Sequence, residues 1–326
     1  MDKIAILCSG GDVSGMNPAL KRFVEYAYAK GMQPFFVYNG YEGLIDNQIS
    51  PANYEDVAGI IMRGGTKIRS ARSLRFKEAS YRAIAAENLR QKGITKLVVL
   101  GGDGSFRGME RFHDETGIAF CGIPSTIDND INGTDYCLGV DTALNAIKNA
   151  IDSIRDTASS FRRAFVIETM GRDCGYLALV SAITSGAEMC LIPEIPVDIH
   201  EYKECFESQI RKGRDYFIII ASEGVKNASE VAKWFEEELK FESRVSVLGH
   251  IQRGGNPSVY DRLMAYRFVT HAIDALVEGK NNYVVCYSKS HFNLKSISEV
   301  ALNPYSLDKD LLMLGYEQFV LSRCQM

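Results

Sequence analysis

The chain has 326 residues, of which 46% are hydrophobic and 24% charged, a composition typical of folded globular proteins and not of disordered ones. Its 37 Lys and Arg residues are balanced by 41 Asp and Glu, giving a net charge of −4. This balance excludes the strongly basic surface expected of a protein that binds nucleic acid or an acidic membrane. At this length two domains are the default expectation.

Neither the N-terminus nor the cysteines indicate export. Residues 3–7 form an apolar, strand-like run without the architecture of a signal peptide, and the longest uncharged stretch, 174–187, is too short to span a bilayer. The eight cysteines include no C-x-x-C pair and lie mostly in apolar runs, which indicates buried free thiols. We therefore expect a cytoplasmic protein without a membrane segment.

Short apolar runs alternate with helical periodicity along the chain. The first strand, 4–8, leads to a helix with Asn17 as its expected N-cap, Pro18 as its first helical residue and Gly31 at its end. The other predicted strands are 34–38, 97–100, 118–123, 164–168, 189–193, 216–222, 243–248 and 283–287. This rhythm predicts an α/β fold of largely parallel sheets flanked by helices.

Glycine, aspartate and small hydroxyl residues gather directly after three of these strands, at the edge where open α/β sheets bind ligands. The first group is SGGD at 9–12, which precedes the first helix. Glycines there let backbone N–H groups approach phosphate oxygens, and the helix N-terminus adds a positive dipole end. Taken alone, this segment fits a tight turn without a ligand equally well.

The second group is GGDGS at 101–105, again between a strand and a helix. Asp103 is placed to hold Mg²⁺, which usually binds through one or two carboxylates together with substrate phosphates. Gly102 and Gly104 leave room for a phosphate chain, and Ser105 can donate to it. The chain has no P-loop pattern, and some kinases of lipids and dinucleotides carry a motif like this one.

The third group is TIDND at 126–130. If this segment is extended, Thr126, Asp128 and Asp130 project to the same side and present one hydroxyl and two carboxylates to a common site. Neighbouring carboxylates push each other's pKa values apart, so that one becomes a base and the other positions it or assists a metal. A solvated acidic loop is the alternative interpretation.

Basic residues suited to a sugar phosphate follow downstream, since arginine forks match phosphate oxygens. Taken singly, each of them is more often a surface charge. They are Arg163, the turn Met170-Gly171-Arg172, Arg244, His250 and Arg253.

In this order of motifs the chain resembles the bacterial type of ATP-dependent 6-phosphofructokinase, from residue 3 to about residue 279. Besides the three groups above, the resemblance is carried by GMN (15–17), RGGT (63–66), SAR (70–72), GTD (133–135), RDT (155–157), ETMGR (168–172), CGYLAL (174–179) and LGHIQRGG (248–255).

The resemblance implies an allosteric, glycolytic kinase that moves the γ-phosphoryl group of ATP to the 1-hydroxyl of fructose 6-phosphate with Mg²⁺. It implies an ATP- and Mg²⁺-binding domain at 1–139 and 252–305, and a sugar-phosphate domain at 140–251 and 306–326. It also implies a homotetramer in which active sites are shared between subunits.

The resemblance also assigns roles to single residues. Asp128 would be the general base, and Arg72 and Arg172 would counter charge in the transition state. ATP and Mg²⁺ would be bound by Gly11, Tyr41, Arg72, Gly102, Asp103, Gly104, Ser105 and Gly108, with Asp103 as the metal ligand. Fructose 6-phosphate would be held by Thr126, Asp128, Asp130, Met170, Gly171, Arg172, Glu223, His250 and Arg253, and by Arg163 and Arg244 from a neighbouring subunit.

The chain departs from the family pattern in two places. Ser125 stands where ATP users usually have Gly and pyrophosphate users usually have Lys. At the effector site for ADP or phosphoenolpyruvate, where the family has basic residues, the chain has Lys21, Glu25 and Tyr54. The effector positions that still match are Arg155, Glu188, Lys212 and Arg214.

Three other functions remain open at this stage. A pyrophosphate-dependent relative is disfavoured by Gly104, a position that tends to be Asp in such enzymes. A non-catalytic regulatory subunit is disfavoured because Asp103, Asp128 and Arg172 are all present. A lipid or dinucleotide kinase that shares only GGDGS would leave TIDND and LGHIQRGG unexplained.

Overall fold

The computed structural model describes residues 1–301, 303 and 305–321, and the chain divides into two compact units. The first unit comprises Met1–Ile127, Ile131–Thr142 and Arg253–Tyr305, and the second comprises Asp128–Asp130, Ala143–Gln252 and Ser306–Met326. Which unit binds which ligand stays a prediction. Of the eight cysteines, Cys324 lies outside the described residues; the other seven are buried, and none of them forms a disulfide.

The strands are numbered in chain order. They are β1 (Lys3–Cys8), β2 (Gln33–Val37), β3 (Ile49–Pro51), β4 (Ile94–Gly101), β5 (Ala119–Pro124), β6 (Ala164–Thr169), β7 (Met189–Leu191), β8 (Phe217–Ser222), β9 (Ser243–Val247), β10 (Tyr283–Ser288) and β11 (His291–Ser296).

The helices are numbered in the same way. They are α1 (Met16–Ala29), α2 (Gly40–Ile45), α3 (Ala79–Lys92), α4 (Asp103–Thr116), α5 (Val140–Phe161), α6 (Tyr176–Ser185), α7 (Lys203–Arg211), α8 (Ala228–Glu238), α9 (Val259–Val277), α10 (Ile297–Ala301) and α11 (Lys309–Tyr316).

The first unit contains a sheet in the order β11-β10-β5-β4-β1-β2-β3, in which only the outer strands β3 and β11 pair antiparallel. The second unit contains an all-parallel sheet in the order β7-β8-β6-β9. The predicted α/β class of largely parallel sheets is thereby confirmed. Strand β1 illustrates the cause, because residues 4–8 are fully buried and apolar, as expected for a strand covered on both faces.

The start of α1 differs from the sequence-based expectation. The helix begins at Met16 after Gly15, and Asn17 is a helical residue whose side chain does not cap it. The amide of Asn17 instead donates to the carbonyls of Arg63 and Gly64, at 3.1 and 3.0 Å, and its oxygen accepts from the backbone of Lys67 at 2.7 Å. The expected N-cap is therefore wrong, because this side chain is used to hold a distant loop.

The parallel strands bring the loops after them to common edges. In the first sheet Cys8 pairs with Leu100, so the loops that follow β1 and β4 leave the sheet side by side. In the second sheet Thr169 pairs with Ser222, which places the segments after β6 and β8 next to each other. The two groups of candidate site residues are built on these two edges.

Candidate active site

The loop after β1 contacts residues 70 and 71 of the first unit. The Ser70 hydroxyl donates to the carbonyl of Gly10 at 2.8 Å, and the backbone of Ser9 forms a bridge with Ala71. These contacts fix the segment that ends at Arg72, whose own side chain is exposed. The loop therefore places an arginine at the same edge as the glycines of 9–12.

The GGDGS segment forms the start of α4. Gly102 is extended at the N-cap position, and Asp103 is the first helical residue. A methyl group added at Gly104 would meet no described atom within 4 Å, so the space above this residue is open. The Ser105 hydroxyl, however, donates to the Ser9 hydroxyl at 2.9 Å. In this geometry the Ser105 side chain ties the start of α4 to the loop after β1.

The chemistry around Asp103 fits Mg²⁺. Its carboxylate stands at a helix N-terminus with a side-chain exposure of 40%, and Nη2 of Arg107 lies 3.8 Å from it. The described residues contain no group of three or more His, Cys, Asp or Glu side chains arranged for a metal. Mg²⁺ is commonly held by one carboxylate together with substrate phosphates, so a single protein ligand is the donor set expected.

Tyr41 lies beside a cavity of about 370 Å³ in the first unit. Its ring stacks on Phe76 with centroids 4.1 Å apart, its hydroxyl donates to the carbonyl of Ser105 at 2.5 Å, and burial raises its pKa. The cavity is lined by Tyr41, Ser73, Phe76, Lys77, Arg82, Gly104, Arg107, Gly108 and Arg111. An aromatic wall with several cations around it suits the base and phosphates of a nucleotide.

Several of these cavity residues were missed by sequence reasoning. Phe76 and Arg82 lie outside every motif, and no spacing in the sequence marks them as neighbours of Gly104. The feature that could have found them is the surplus of cations in 72–82 around an aromatic residue. Arg82 is 5% exposed and pairs with Glu115.

Asp128 and Arg172 form the centre of the second unit's site. Asp128 is fully buried, and one of its carboxylate oxygens lies 3.2 Å from Nε of Arg172. The Arg172 side chain is 58% exposed, so the same guanidinium also faces outward. A cation beside a buried carboxylate offsets the cost of removing its charge from water.

The expectation that TIDND is extended is wrong. Ile127 and Asp128 lie in a turn, and Asn129 has a φ of +52°. Asn tolerates this left-handed conformation better than most residues because its short polar side chain bonds locally. Residues two apart therefore do not share a side here, and Thr126 belongs to the first unit while Asp128 and Asp130 belong to the second.

The turn at 170–172 is held by two buried or half-buried side chains. Oε1 of Glu223 accepts from the backbone N–H groups of Gly171 at 3.1 Å and Arg172 at 2.8 Å. Oε1 of Gln252 accepts from the backbone of Met170 at 3.1 Å. Arg172 has a φ of +53°, and these bonds fix the strained turn that directs its side chain towards Asp128.

Arg163 and Arg244 lie at the other end of the strands. Arg163 precedes β6 and Arg244 is the second residue of β9, whereas the turn at Arg172 follows β6. A strand of this length separates its ends by roughly 20 Å. Both arginines pair with Glu242, so within one subunit they are not brought to the Asp128 site.

The two remaining substrate candidates fall on either side of a unit boundary. His250 is exposed in the short 3-10 helix Gly249–Arg253 and belongs to the second unit. Arg253 belongs to the first unit, where its guanidinium lies against Gly11.

Ser125 directs its hydroxyl back towards its own strand. The side chain is buried, and Oγ donates to the carbonyl of Ile123 at 3.0 Å. The hydroxymethyl group that glycine lacks is therefore hydrogen-bonded to the backbone at the end of β5.

In the first unit, the two effector candidates on α1 form an ion pair with each other, so their charges cancel. Nζ of Lys21 lies 2.7 Å from the carboxylate of Glu25, and the Tyr266 hydroxyl donates to the same carboxylate at 3.2 Å. Tyr54 stacks on Tyr28 with centroids 5.1 Å apart.

In the second unit, the four matching effector positions are largely engaged with the protein itself. Arg214 pairs with Glu188, which is 6% exposed and whose pKa is raised by burial. Arg155 donates to the carbonyl of Ser185. Lys212, at the C-terminus of α7, is exposed.

Comparisons with known proteins agree with this architecture. The model of the phosphofructokinase family matches residues 3–276. Proteins named ATP-dependent 6-phosphofructokinase are similar to the chain: that of Sulfurovum sp. (strain NBC37-1) is 68% identical over 97% of both chains, and that of Sulfurimonas denitrificans is 64% identical over 96% of this chain and 98% of its own.

Solved phosphofructokinases share the fold. The Saccharomyces cerevisiae structure superposes with a TM-score of 0.86 at 32% identity, covering 92% of this chain and 44% of the longer yeast chain. A pyrophosphate-dependent phosphofructokinase from Marinobacter aquaeolei has a TM-score of 0.81 over 94% of this chain and 86% of its own, but at 21% identity it shows the fold alone.

The folds and the two strand-edge sites define the class of the protein, which is that of α/β phosphotransferases without a P-loop. Within that class the chain belongs to the phosphofructokinase family, as the family model and the full-length relatives show. In the part of the chain that the structure covers, none of the helices combines the length and the apolar character that crossing a membrane requires.

Proposed function

We propose that the protein transfers the γ-phosphoryl group of ATP to the 1-hydroxyl of fructose 6-phosphate, giving fructose 1,6-bisphosphate and ADP. The observation that carries this proposal is the 68% identity, over 97% of both chains, with a relative named ATP-dependent 6-phosphofructokinase. The strand-edge sites are consistent with it. A role in glycolysis and a cytoplasmic location follow from the same assignment as predictions.

Asp128 acts as the general base in this proposal. Its carboxylate accepts the proton of the sugar 1-hydroxyl while that oxygen attacks the γ-phosphorus. Burial keeps the carboxylate away from competing water, and the turn held by Glu223 keeps Arg172 at its side. Phosphoryl transfer needs positioning and electrostatic stabilisation more than covalent chemistry, and this arrangement supplies both.

Positive charge on the nucleotide side comes from several sources. Arg72 and Arg172 counter the charge that develops on the transferred group, and the positive end of the α4 dipole faces the phosphate chain. Asp103 would hold Mg²⁺. When bound, the ion neutralises phosphate charge and orients the γ-phosphoryl group.

The donor side supports ATP over pyrophosphate. Gly104 leaves open space next to the cavity lined by Tyr41 and Phe76, which gives a nucleoside somewhere to lie. Ser125 adds no charge at the place where pyrophosphate users usually carry Lys, because its hydroxyl is bonded to Ile123.

A homotetramer with shared sites accounts for the position of Arg163 and Arg244. Both arginines lie at the end of their strands remote from Arg172, beside the edge strand β9. That edge is apolar for an exposed surface, since Val245 and Val247 are 37% and 64% exposed. A second subunit covering this edge would receive both arginines in its own site.

Subunit complementation tests the shared site. Asp128→Ala and Arg244→Ala are each expected to impair every site in their own homotetramer. Unfolding and refolding the two variants together produces sites in which both residues are intact if they come from different chains. We expect clearly higher activity in the mixture than in either variant alone. A mixture as inactive as its components would contradict shared sites.

The reaction itself is tested by identifying the product. Incubation with ATP, Mg²⁺ and fructose 6-phosphate is expected to give fructose 1,6-bisphosphate, with a new phosphate ester on carbon 1 visible by ³¹P and ¹³C nuclear magnetic resonance. Phosphorylation at another carbon, or hydrolysis of ATP without transfer, would contradict the proposal.

A further inference from the structure

Gly11 lies directly against the guanidinium of Arg253 in the first unit. A methyl group added at Gly11 would overlap Nη1 of Arg253, and would lie 3.2 Å from its Cζ and 3.6 Å from its Nη2. The three nearest atoms thus all belong to one planar cation. At neighbouring Gly10 the nearest atom would be Oγ of Ser105, 3.8 Å away.

The need for glycine at position 11 is one of space. Gly10 has a φ of +89°, a conformation that requires glycine, whereas Gly11 is outside the left-handed region. Alanine would therefore fit the backbone at Gly11 without strain. Its methyl group would, however, overlap the space that the guanidinium of Arg253 fills.

The surrounding backbone is fixed on both sides of this contact. The carbonyl of Gly10 accepts from Ser70 at 2.8 Å. The buried Ser14 hydroxyl is bonded to the carbonyls of Gly254 at 3.2 Å and Gly255 at 3.1 Å. A methyl group at Gly11 would accordingly move the far end of a flexible side chain and leave both loops in place.

We propose that Gly11 is a positioning residue for Arg253. Because residue 11 has no side chain, the Arg253 guanidinium can lie directly against the loop 9–12. The inference rests on the proposed function, in which Arg253 binds fructose 6-phosphate. It adds a role towards the sugar phosphate to the nucleotide role that the family resemblance gives residue 11.

The test is a double-mutant cycle with Gly11→Ala, Arg253→Ala and the two combined. Loss of a charge-assisted hydrogen bond to phosphate should raise KM for fructose 6-phosphate by about tenfold to a hundredfold in Gly11→Ala. The double variant should resemble Arg253→Ala within about twofold, because Gly11→Ala has nothing left to displace.

Gly104→Ala is the matched control. It adds the same methyl group to a glycine of the neighbouring loop, where no described atom lies within 4 Å and the backbone is again outside the left-handed region. The open space there is assigned to the nucleotide. Because Gly104 does not contact Arg253, this variant should leave KM for fructose 6-phosphate unchanged, in contrast to Gly11→Ala, although it should raise KM for ATP.

A measurement without turnover separates this inference from the proposed function. Fructose 6-phosphate should raise the melting temperature of the unsubstituted protein and have much less effect on Gly11→Ala. An unsubstituted protein that shows this stabilisation but no transfer from ATP would overturn the proposed function and keep the inference.

Three results would overturn the inference. In the first, Gly11→Ala raises KM for ATP while KM for fructose 6-phosphate is unchanged. In the second, the two single substitutions multiply in the double variant. In the third, fructose 6-phosphate stabilises Gly11→Ala as much as the unsubstituted protein, or stabilises neither.

Discussion

Asp128 and Arg172 meet because two turns adopt unusual backbone conformations. Asn129 and Arg172 have φ values of +52° and +53°, and Glu223 holds the second turn through two backbone N–H groups. Left-handed residues other than glycine cost free energy and persist where their surroundings determine them. The site therefore stores local strain in order to place a cation 3.2 Å from a buried carboxylate.

Replacement of Asp128 tests its assigned role most simply. We expect Asp128→Ala to lower kcat by at least ~100-fold, the usual contribution of a positioned proton acceptor. KM for fructose 6-phosphate should change far less, because the basic residues bind the phosphate. Steady-state kinetics would measure both.

Asp114→Ala is the control for this substitution, since Asp114 is an exposed carboxylate on α4 outside the assigned site. It should retain normal kinetics. A near-normal kcat in Asp128→Ala would show that the base has been assigned wrongly.

At the residue scale, the sequence predicts the identity of the candidate site residues better than the contacts between them. Asp103 and Asp128 stand in short motifs directly after strands, so their edge positions could be predicted. The pairing of Asp128 with Arg172 could not, because it depends on two turns 40 or more residues apart in the chain. The prediction that TIDND is extended was wrong because the segment turns at Ile127 and Asp128, and the sequence alone does not show this turn.

At the scale of elements, a single carboxylate ties the start of α9 to residues 136–142, all within the first unit. Asp261 in the first turn of α9 is fully buried and accepts from the Tyr136 hydroxyl at 2.5 Å and from the backbone of Gly139 at 2.7 Å. It also accepts from the backbone and hydroxyl of Thr142, at 2.8 and 2.5 Å, where α5 begins. Burial raises the pKa of Asp261.

Removing this carboxylate should destabilise the fold. Asp261→Ala leaves several buried donors without an acceptor, and we expect a loss on the order of 3–5 kcal/mol, because each unsatisfied group costs about 1–3 kcal/mol. That loss corresponds to a fall in melting temperature of roughly 10 °C, which circular dichroism would measure.

Asp2→Ala is the comparison, because the Asp2 carboxylate is 73% exposed and pairs with Lys96 at the surface. Its melting temperature should not change measurably. Equal shifts in the two variants would show that Asp261 has no special part in holding residues 136–142 to α9.

The strands show why some elements could be predicted and others not. The nine predicted strands are confirmed, and most of them carry a buried apolar run; β9 is the exception, since Val245 and Val247 are exposed. Strands β3 and β11 were missed. β3 has only three residues and ends in Pro51, and β11 is an edge strand with few buried residues, so neither has a strong apolar pattern.

For the whole molecule, the structure bears on regulation. Lys21 and Glu25 form an ion pair, which leaves little positive charge on this face of α1 for an anion. Arg22 is no substitute, because its guanidinium lies 4.3 Å from the Tyr26 ring and its Nε donates to Thr270 at 3.0 Å. Each lost charge-assisted bond removes on the order of 1.5–3 kcal/mol from binding.

We therefore expect phosphoenolpyruvate to inhibit weakly or not at all, and ADP to activate poorly. Phosphoenolpyruvate titrated at sub-saturating fructose 6-phosphate should leave the saturation curve almost unshifted. Glu25→Arg should restore inhibition by freeing Lys21 and adding a cation, whereas Glu87→Arg on the exposed face of α3 should not. A strongly sigmoidal, right-shifted curve for the unsubstituted protein would refute this expectation.

At this scale the sequence predicts the family and the class of fold, because its motifs lie in a fixed order over most of the chain. It says less about assembly. Arg163 and Arg244 are ordinary surface arginines in the sequence, and only the strand directions place them away from Arg172. Their proposed part in a neighbouring subunit's site rests on that separation.

The central claim is that ATP is the phosphoryl donor to fructose 6-phosphate. The most direct measurement compares the initial rates of fructose 1,6-bisphosphate formation with ATP and with pyrophosphate, at equal concentrations and with Mg²⁺ present. We predict rapid formation with ATP and little or none with pyrophosphate. Faster formation with pyrophosphate would contradict the ATP assignment, and no product from either donor would contradict catalysis altogether.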